Sequence, residues 1–458
     1  MKKISTLIFI LLVSFCFVLA GCSNSTLTMP TDYSQITSNG GNVVNVGNFL
    51  YFANAYQSYE NLNDKSDNEG ENVKQYALKR IEKENEQNFK LDENGDKIFE
   101  NVINKIAGYQ TSNMFVVDEY LYFTSPNVHK NASKDKDKYD KYEFNLNTLF
   151  KIKLDGSDFN EIYTTESSSA KFFLTGGEKQ SILIFDNNKI LQVRCYENST
   201  KTQTLVENVE STVFPYNQGT EIVDVYYTVE REEDDQLKGN ILKKLNIVTG
   251  ETSFVSGYSN NNETITLVSY DGNYLFYTRS GGVKTKGLYA NNFSTPETLK
   301  KYDADSFSNS SQLYLIKDDL LDVNVFVFVY NNNIYMQSMS STNDAAGIKL
   351  TTDSANILFV DGTYVYYTTD NGIFRVSVKT KKIQQISDVK DFEKNAIDFD
   401  GRYIYFYAKA EDATTETKYL HRADVVCAKD VNDTSSSLSI ECISELLAED
   451  IKSEDSEN

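Results

Sequence analysis

Tryptophan is absent from this sequence, and its only two histidines, His129 and His421, lie far apart in the chain. Zinc sites are built from clustered histidine and cysteine ligands, and no Cys-x-x-Cys pair occurs, so the composition predicts no metal site. The chain has no Gly-x-Ser-x-Gly, His-Glu-x-x-His or P-loop motif, and no nucleophile stands beside an obvious base. We therefore expect no cofactor and assign no catalytic residue.

Proline and basic residues are scarce as well. Only 4 prolines occur, against 31 tyrosines and 27 phenylalanines, a balance that suits β-strands because proline interrupts their hydrogen-bonded ladders. The 45 lysines and arginines are outnumbered by 66 aspartates and glutamates, which gives a formal net charge of −21. Phosphates repel such a protein, so nucleic acid is not an expected partner.

The N-terminus has the features of an export signal. Met1-Lys2-Lys3 is basic, and Ile4 to Leu19 is mostly apolar but short for a stable membrane-spanning helix. The segment ends in Leu19-Ala20-Gly21-Cys22, which resembles the lipobox of bacterial lipoproteins. The resemblance implies cleavage before Cys22 and a diacylglyceryl group on its sulfur. Two or more acyl chains, palmitate among them, hold a protein at a membrane more firmly than one chain does.

This interpretation places the protein at the extracytoplasmic face of the cell membrane, anchored through Cys22. An ordinary cleaved signal peptide and a single transmembrane helix are the alternatives. No later stretch reaches the roughly 18 apolar residues that a second membrane helix needs. The predicted organisation is a signal peptide (1–21), a lipidated flexible tether (22–40), one large domain (41–446) with a charged insertion near 61–104, and an acidic disordered tail (447–458).

The large domain repeats a turn followed by an aromatic strand. Several of the turns contain an Asp-Gly pair, which favours a tight hairpin because glycine tolerates positive φ. The strand that follows has the aromatic and β-branched residues of a packed sheet. Clear copies begin at Val46, Val117, Tyr270, Val360 and Phe399, and weaker copies begin at Asp186, Asp224 and Asn331.

Most copies are followed by a second hairpin, so one unit contains four short antiparallel strands. Leu149 to Tyr163, Ile241 to Val255 and Gly372 to Ile386 are examples. Units that recur in this way are typical of β-propellers, in which each four-stranded blade packs on its neighbours. We therefore predict an all-β fold, a β-propeller of eight four-stranded antiparallel blades, with seven or six blades as alternatives where the weaker copies fail.

Two of these units carry a family resemblance. Tyr366-Tyr367-Thr368-Thr369-Asp370 and the hairpin from Leu149 to Ser157 are similar to the blades of YWTD-type propellers and their bacterial TolB-like relatives. Tyr367 stands where that family has tryptophan, so the similarity is one of blade pattern. It spans roughly residues 40 to 445 and implies a fold rather than a ligand, because propellers host many unrelated functions.

Two smaller features concern cysteines and calcium. A hairpin that turns at 434–435 would place Cys427 opposite Cys442, and an exported protein can keep a disulfide there. Two buried free thiols are the equally weighted alternative. In the insertion, Asp92-Glu93-Asn94-Gly95-Asp96 predicts a hairpin turn. A calcium loop is disfavoured there because Lys97 occupies the position that requires glycine.

Two hypotheses for function remain. The favoured one is a non-catalytic binding or scaffold protein whose rim loops engage a protein or envelope partner. The alternative is an extracytoplasmic enzyme that acts on cell-wall or extracellular polymer through carboxylates in the central channel. A solute-binding lipoprotein is a third, weaker interpretation, and it would require two α/β lobes with a cleft between them.

Overall fold

The chain folds as an all-β propeller with eight antiparallel blades, which confirms the predicted fold class and blade number. The described residues do not form the two α/β lobes that the solute-binding interpretation would require. Within them, no helix is long and apolar enough to cross a membrane. The structure is a computed structural model that describes residues 27–32, 35–57, 75–107, 111–126, 146–231, 239–255, 262–281, 287–293, 300–302, 312–318, 320–340, 347–411 and 413–450.

Within each blade the strands follow one another outward from the ring centre in chain order. The chain begins with β1 (Ile36–Thr37), β2 (Val43–Val46), β3 (Phe49–Ala53), β4 (Ala55–Tyr56), β5 (Gln75–Glu82) and β6 (Phe99–Ala107). All of these except β4 form blade 1. Blades 2 to 4 consist of β7 (Ser112–Val117), β8 (Tyr120–Pro126), β9 (Asn147–Lys153), β10 (Asn160–Thr164); β11 (Lys171–Leu174), β12 (Ser181–Asp186), β13 (Lys189–Arg194), β14 (Thr202–Val206); β15 (Ser211–Val213), β16 (Asp224–Glu230), β17 (Asn240–Asn246) and β18 (Thr252–Phe254).

The second half of the chain continues the same pattern. Blades 5 and 6 consist of β19 (Thr264–Tyr270), β20 (Leu275–Ser280), β21 (Gly287–Asn291), β22 (Lys300–Tyr302); β23 (Leu313–Asp318), β24 (Val323–Tyr330), β25 (Asn333–Ser338) and β26 (Ile348–Lys349). Blades 7 and 8 are built from β27 (Asn356–Asp361), β28 (Tyr364–Thr369), β29 (Gly372–Ser377), β30 (Ile383–Ser387), β31 (Phe392–Phe399), β32 (Tyr403–Lys409), β33 (Lys418–Asp424), β34 (Lys429–Asp430) and β35 (Ile440–Cys442). Of these, β34 joins blade 7, next to β30. Inner strands of neighbouring blades contact each other around the ring centre, as β2 does with β7, β15 with β19, β19 with β23 and β23 with β27.

The Asp-Gly turns form where the sequence predicts them. Gly272, Gly362 and Gly401 have φ angles of 98°, 51° and 100°, in the region that favours glycine. The side chain of Asp271 accepts hydrogen bonds from the backbone N–H groups two and three residues further on, at 2.7 and 2.5 Å. Asp400 repeats this arrangement at 2.9 and 2.7 Å. These bonds hold the turn and so set the pairing register of the two strands it joins.

Buried tyrosines join the blades to each other. Their rings pack in the cores between sheets, and their hydroxyl groups reach backbone oxygens of the next blade. Tyr51 of blade 1 donates to the carbonyl oxygen of Leu154 in blade 2 at 2.9 Å, and Tyr407 of blade 8 donates to that of Ala53 in blade 1 at 2.8 Å. A buried tyrosine needs such a partner, so these bonds fix how neighbouring blades sit.

The ring closes between blades 8 and 1 through short contacts. Strand β4 leaves blade 1 and pairs with β33 of blade 8. Near the channel, the Asp398 carboxylate of β31 accepts hydrogen bonds from the backbone N–H groups of Asn42 and Val43, at 2.5 and 3.1 Å. Asn45 of β2 donates to the Asp400 carboxylate at 3.1 Å. A two-residue strand pair and side-chain bonds therefore connect the two ends of the propeller.

Three of the segments that the sequence sets apart from the blades contain residues that pack on the propeller. Strand β5 and most of β6 fall within the predicted insertion near 61–104 and complete blade 1, and the hairpin of residues 83–98 connects them. Residues 36–40 of the predicted tether are packed on the propeller through β1 and the turn after it. In the predicted tail, Ala448–Asp450 forms a short 3₁₀ helix, and the buried Asp450 accepts a hydrogen bond from the Tyr419 hydroxyl.

The predicted hairpin between Cys427 and Cys442 is wrong. Strand β34 follows Cys427 and pairs with β30 of blade 7, whereas β35, which contains Cys442, pairs with β33 of blade 8. Both thiols are free; Cys427 is exposed and Cys442 is half-buried. The physical reason is that each segment completes a different sheet edge, which satisfies more backbone groups than a two-stranded ribbon would.

Candidate functional site: the turn face of the propeller

Each blade turns twice toward the same side of the ring, once between its first and second strands and once between its third and fourth. We call this side the turn face. The two turns of a blade are hydrogen-bonded to each other: Lys83 N donates to the carbonyl oxygen of Asn48 at 2.7 Å in blade 1, and Leu154 N to that of Glu119 at 2.9 Å in blade 2. Blades 4, 7 and 8 repeat this contact at 2.9 to 3.0 Å, so in five blades the two turns support each other.

The N-terminal segment of the described chain lies on the turn face. Leu27 N donates to the carbonyl oxygen of Asp155, in a turn of blade 2, at 2.9 Å. Leu27 and Met29 pack against the core of blade 1. Further on, Gly47 N donates to the carbonyl oxygen of Gln35 at 2.9 Å. The chain is therefore fixed to this face five residues after Cys22.

Arg80 holds this segment in place. Its side chain is fully buried, stacks on the Phe49 ring at 4.3 Å, and donates to Glu100 at 2.7 Å and to the carbonyl oxygen of Thr28 at 2.6 Å. A cavity of about 320 Å³ lies beside it, and Thr28 and Glu100 are among its walls. Among the described residues, the Arg80 Nη2 atom has no hydrogen-bond partner. A ligand in this cavity would touch both blade 1 and the N-terminal segment.

A loop of blade 4 crosses the turn-face end of the channel. We call residues 214–223, which join β15 to β16, the channel loop. Tyr216 N donates to the carbonyl oxygen of Tyr270 in blade 5 at 3.2 Å, and its hydroxyl donates to that of Leu315 in blade 6 at 3.0 Å. Gln218 bonds through both amide atoms to β11 of blade 3, at 2.7 and 3.3 Å. The channel loop thus ties three blades together across the opening.

The turn before β2 enters the same end of the channel. Ser38 donates to the carbonyl oxygen of Phe399 in blade 8 at 2.7 Å, and Gly40 N donates to that of Met114 in blade 2 at 2.6 Å. Gly40 has φ 108°, and a Cβ atom there would lie 2.5 Å from Cγ of Gln218 in the channel loop. The two segments are therefore in contact at this end of the channel.

Burial shifts the pKa of two carboxyl groups near this end of the channel. It raises the pKa of Asp398 to about 7, although two backbone N–H groups bond to it, and it raises the pKa of Asp271. A raised pKa is a property that general acids share. Here Asp398 Oδ2 is engaged by the backbone, and a Cβ atom at Gly41 would lie 1.9 Å from Oδ1. Asp398 therefore joins blade 8 to blade 1 rather than facing an open cleft.

Large apolar side chains are exposed along the turn face. Most stand at the tips of its turns, where no other described residue covers them; Leu320 is 98% exposed, Val426 72% and Val248 67%. Single exposed apolar residues are common, but a series on one face indicates an interaction surface. They come from blades 1, 2, 3, 4, 6 and 8: Leu91, Ile98, Phe159, Tyr196, Val223, Val248, Leu320, Leu321, Val426 and Val431.

The residues that the sequence singled out fall in different places. Cys22 and His129 lie outside the described residues. Cys427 lies on the turn face beside Val426. His421 is buried in blade 8, stacks on Phe406 and bonds through Nδ1 to the carbonyl oxygen of Tyr419 at 2.8 Å, and burial lowers its pKa. In the part of the chain that the structure describes, no cluster of three His, Cys, Asp or Glu could hold a metal ion.

Sequence reasoning missed the channel loop, the packing of the N-terminal segment and the role of Arg80. One signal was available for the first of these. Ten residues separate β15 from β16, whereas two separate β2 from β3, so the blade 4 turn is long enough to reach across the ring. Nothing in the pattern marks Arg80, because a strand with Lys79 and Arg80 side by side is read as solvent-exposed.

Comparison with known proteins finds propellers at low identity. The chain has 10% identity to the Dos1 propeller, covering 84% of this chain and 92% of that one with a TM-score of 0.43. AztD from Citrobacter koseri has 11% identity to the chain, covering 80% of this chain and 94% of that one with a TM-score of 0.42. A prolyl endopeptidase has 11% identity, covering 72% of this chain with a TM-score of 0.39. The chain spans 50% of that protein's length. No family model and no curated protein matches the chain.

Proposed function

We propose that this chain is a membrane-anchored extracytoplasmic binding or scaffold protein. A lipid on Cys22 holds it at the outer face of the membrane, and the propeller engages a protein or envelope partner through its rim loops without catalysing a reaction. The observation that supports the non-catalytic part is the channel loop, which crosses the turn-face end of the channel and contacts the segment of residues 38–41 there. A polymer-cleaving enzyme that used channel carboxylates would need substrate to reach them from an opening.

Asp398 supports this proposal in detail. Its raised pKa alone would suit a general acid. A general acid must also lie within hydrogen-bond reach of a substrate atom, and backbone groups of residues 41–43 occupy that space. The same carboxyl group connects the first and last blades, so its structural role accounts for its burial.

The N-terminal sequence supports the anchor. The basic residues, the apolar segment and Leu19-Ala20-Gly21-Cys22 occur in the order that export and lipidation require. The repeated turn-and-strand pattern supports a place for the blades beside YWTD-type and TolB-like propellers. The net charge of −21 favours display in solvent near the membrane over contact with nucleic acid.

Crosslinking in intact cells tests the binding function. Cells that express the full chain are treated with a membrane-impermeant crosslinker, and captured proteins are identified by mass spectrometry. A Cys22→Ala variant, which cannot be lipidated, is the matched control. We expect the same partner in repeated captures and its loss in the control. Capture of nothing, together with release of fragments by the purified protein from a panel of cell-wall polymers, would show that the enzyme hypothesis is the right one.

A further inference from the structure

The position of the N-terminal segment determines which side of the propeller lies near the membrane. Only Ser23 to Thr26 separate Cys22 from Leu27, which is bonded to blade 2 on the turn face. Five residues of fully extended chain reach about 17 Å at most. Because Arg80 and the core of blade 1 hold residues 27–29 in place, the segment does not lengthen this reach without breaking buried contacts.

We propose that the turn face rests against the outer leaflet of the membrane, with its exposed apolar tips at the lipid interface. This inference rests on the proposed lipidation of Cys22. The eight residues of β5 alone span about 26 Å at 3.3 Å per residue, which is more than the tether reaches. The opposite face therefore points away from the membrane.

The apolar tips fit the lipid interface as an occupant. Val248, Leu320 and Val426 project from three different blades on the side where the lipid anchor enters. Burial of apolar surface gains free energy roughly in proportion to the area removed from water. The acidic net charge works against contact with anionic lipid, and salt confines this repulsion to charges within about 8 Å of the surface. The short tether and the apolar tips therefore both favour contact between the turn face and the membrane.

A fluorescent probe on Cys427 reports this contact directly. Cys427 is exposed on the turn face, and Cys442→Ser leaves it as the accessible thiol because Cys195 is buried. The lipidated full chain is reconstituted in phosphatidylcholine vesicles that contain a lipid-attached quencher. The matched control carries the probe at Asp370→Cys in a Cys427→Ser, Cys442→Ser background. Asp370 is 91% exposed and lies in the turn between β28 and β29, on the opposite face.

We expect several-fold stronger quenching at Cys427 than at the Asp370→Cys position. Equal or reversed quenching in protein that is attached to vesicles would overturn the orientation and leave the anchor intact. Protein whose N-terminal peptide lacks the diacylglyceryl mass would instead remove the anchor, and with it the basis of this inference. A Val248→Ser, Leu320→Ser variant should weaken quenching at Cys427, since both residues are exposed; unchanged quenching would refute the lipid contact of the tips.

Discussion

Replacement of Asp398 by asparagine should stabilise the propeller at neutral and alkaline pH. Burial raises the pKa of this carboxyl group from an ordinary 3.8 to about 7, so its ionised form is disfavoured in the folded protein. Asparagine is similar in shape and cannot ionise. Its side-chain oxygen can accept the hydrogen bonds that Asn42 and Val43 donate to the carboxylate.

The sign of the pH dependence follows from the raised pKa. Below about pH 4 the carboxyl group is protonated in the folded and the unfolded chain, so it costs nothing. Between pH 4 and pH 7 the unfolded chain releases the proton while the folded chain keeps it, and folding stability falls as pH rises. Above pH 7 this loss of folding stability no longer changes with pH. Asp398→Asn removes this loss. The variant should therefore be more stable than the native protein at high pH, and the difference should largely disappear by pH 4.

The size of the effect can be worked from the shift. A difference of about 3 pKa units at 1.36 kcal/mol per unit corresponds to about 4 kcal/mol at pH 8. Unfolding entropy is about 2.1 cal/mol/K per residue, or about 1 kcal/mol/K for a chain of 458 residues, so Tm should rise by about 4 °C. Differential scanning calorimetry at pH 4 and pH 8 measures both values.

Asp370→Asn is the matched control, because Asp370 is 91% exposed and should change Tm little at either pH. If Asp398→Asn lowers Tm equally at both pH values, the carboxylate is needed for its hydrogen bonds and the reasoning about its burial is refuted. An equal rise at both pH values would also contradict it, because packing and not ionisation would then be responsible.

Three further outcomes are expected. Gly40→Ala should destabilise the fold by clearly more than Gly95→Ala in urea unfolding, since a Cβ at Gly40 meets the channel loop at 2.5 Å while Gly95, at a similar φ, has nothing within 4 Å; the control should cost about 1 kcal/mol, and equal losses would contradict the contact. Arg80→Met should cost about 3 kcal/mol, because it removes charge-assisted hydrogen bonds of a buried group, and should expose the N-terminal segment to limited proteolysis. In thiol titration Cys427 should react at once and Cys195 only after unfolding, because Cys195 is buried and burial raises its pKa to about 12; early reaction of Cys195 would show that the core of blade 3 opens.

The repeating part of the fold could be predicted because its signals are local. An Asp-Gly turn at Asp400 and an aromatic strand from Tyr403 lie within a few residues of each other, and the turn geometry needs only those residues. The same holds for the second hairpins. This is why the blade number was correct even though no tryptophan marks the blades.

The contacts that close the ring and cross the channel end could not be predicted because they join distant parts of the chain. Asp398 and Asn42 are 356 residues apart, and Gly40 meets Gln218 across the ring. The hairpin expected between Cys427 and Cys442 failed for the same reason: the edges of β30 and β33 were available as partners, and a sequence pattern does not show free sheet edges.

The central claim is that the chain is displayed from the membrane by a lipid on Cys22. Mass spectrometry of the N-terminal peptide from the membrane fraction tests it most directly, with Cys22→Ala as the control. We expect a chain that begins at Cys22 and carries the diacylglyceryl mass in the native protein, and no such peptide in the variant. An unmodified peptide that begins elsewhere, or one that retains Leu19-Ala20-Gly21 before Cys22, would contradict the account.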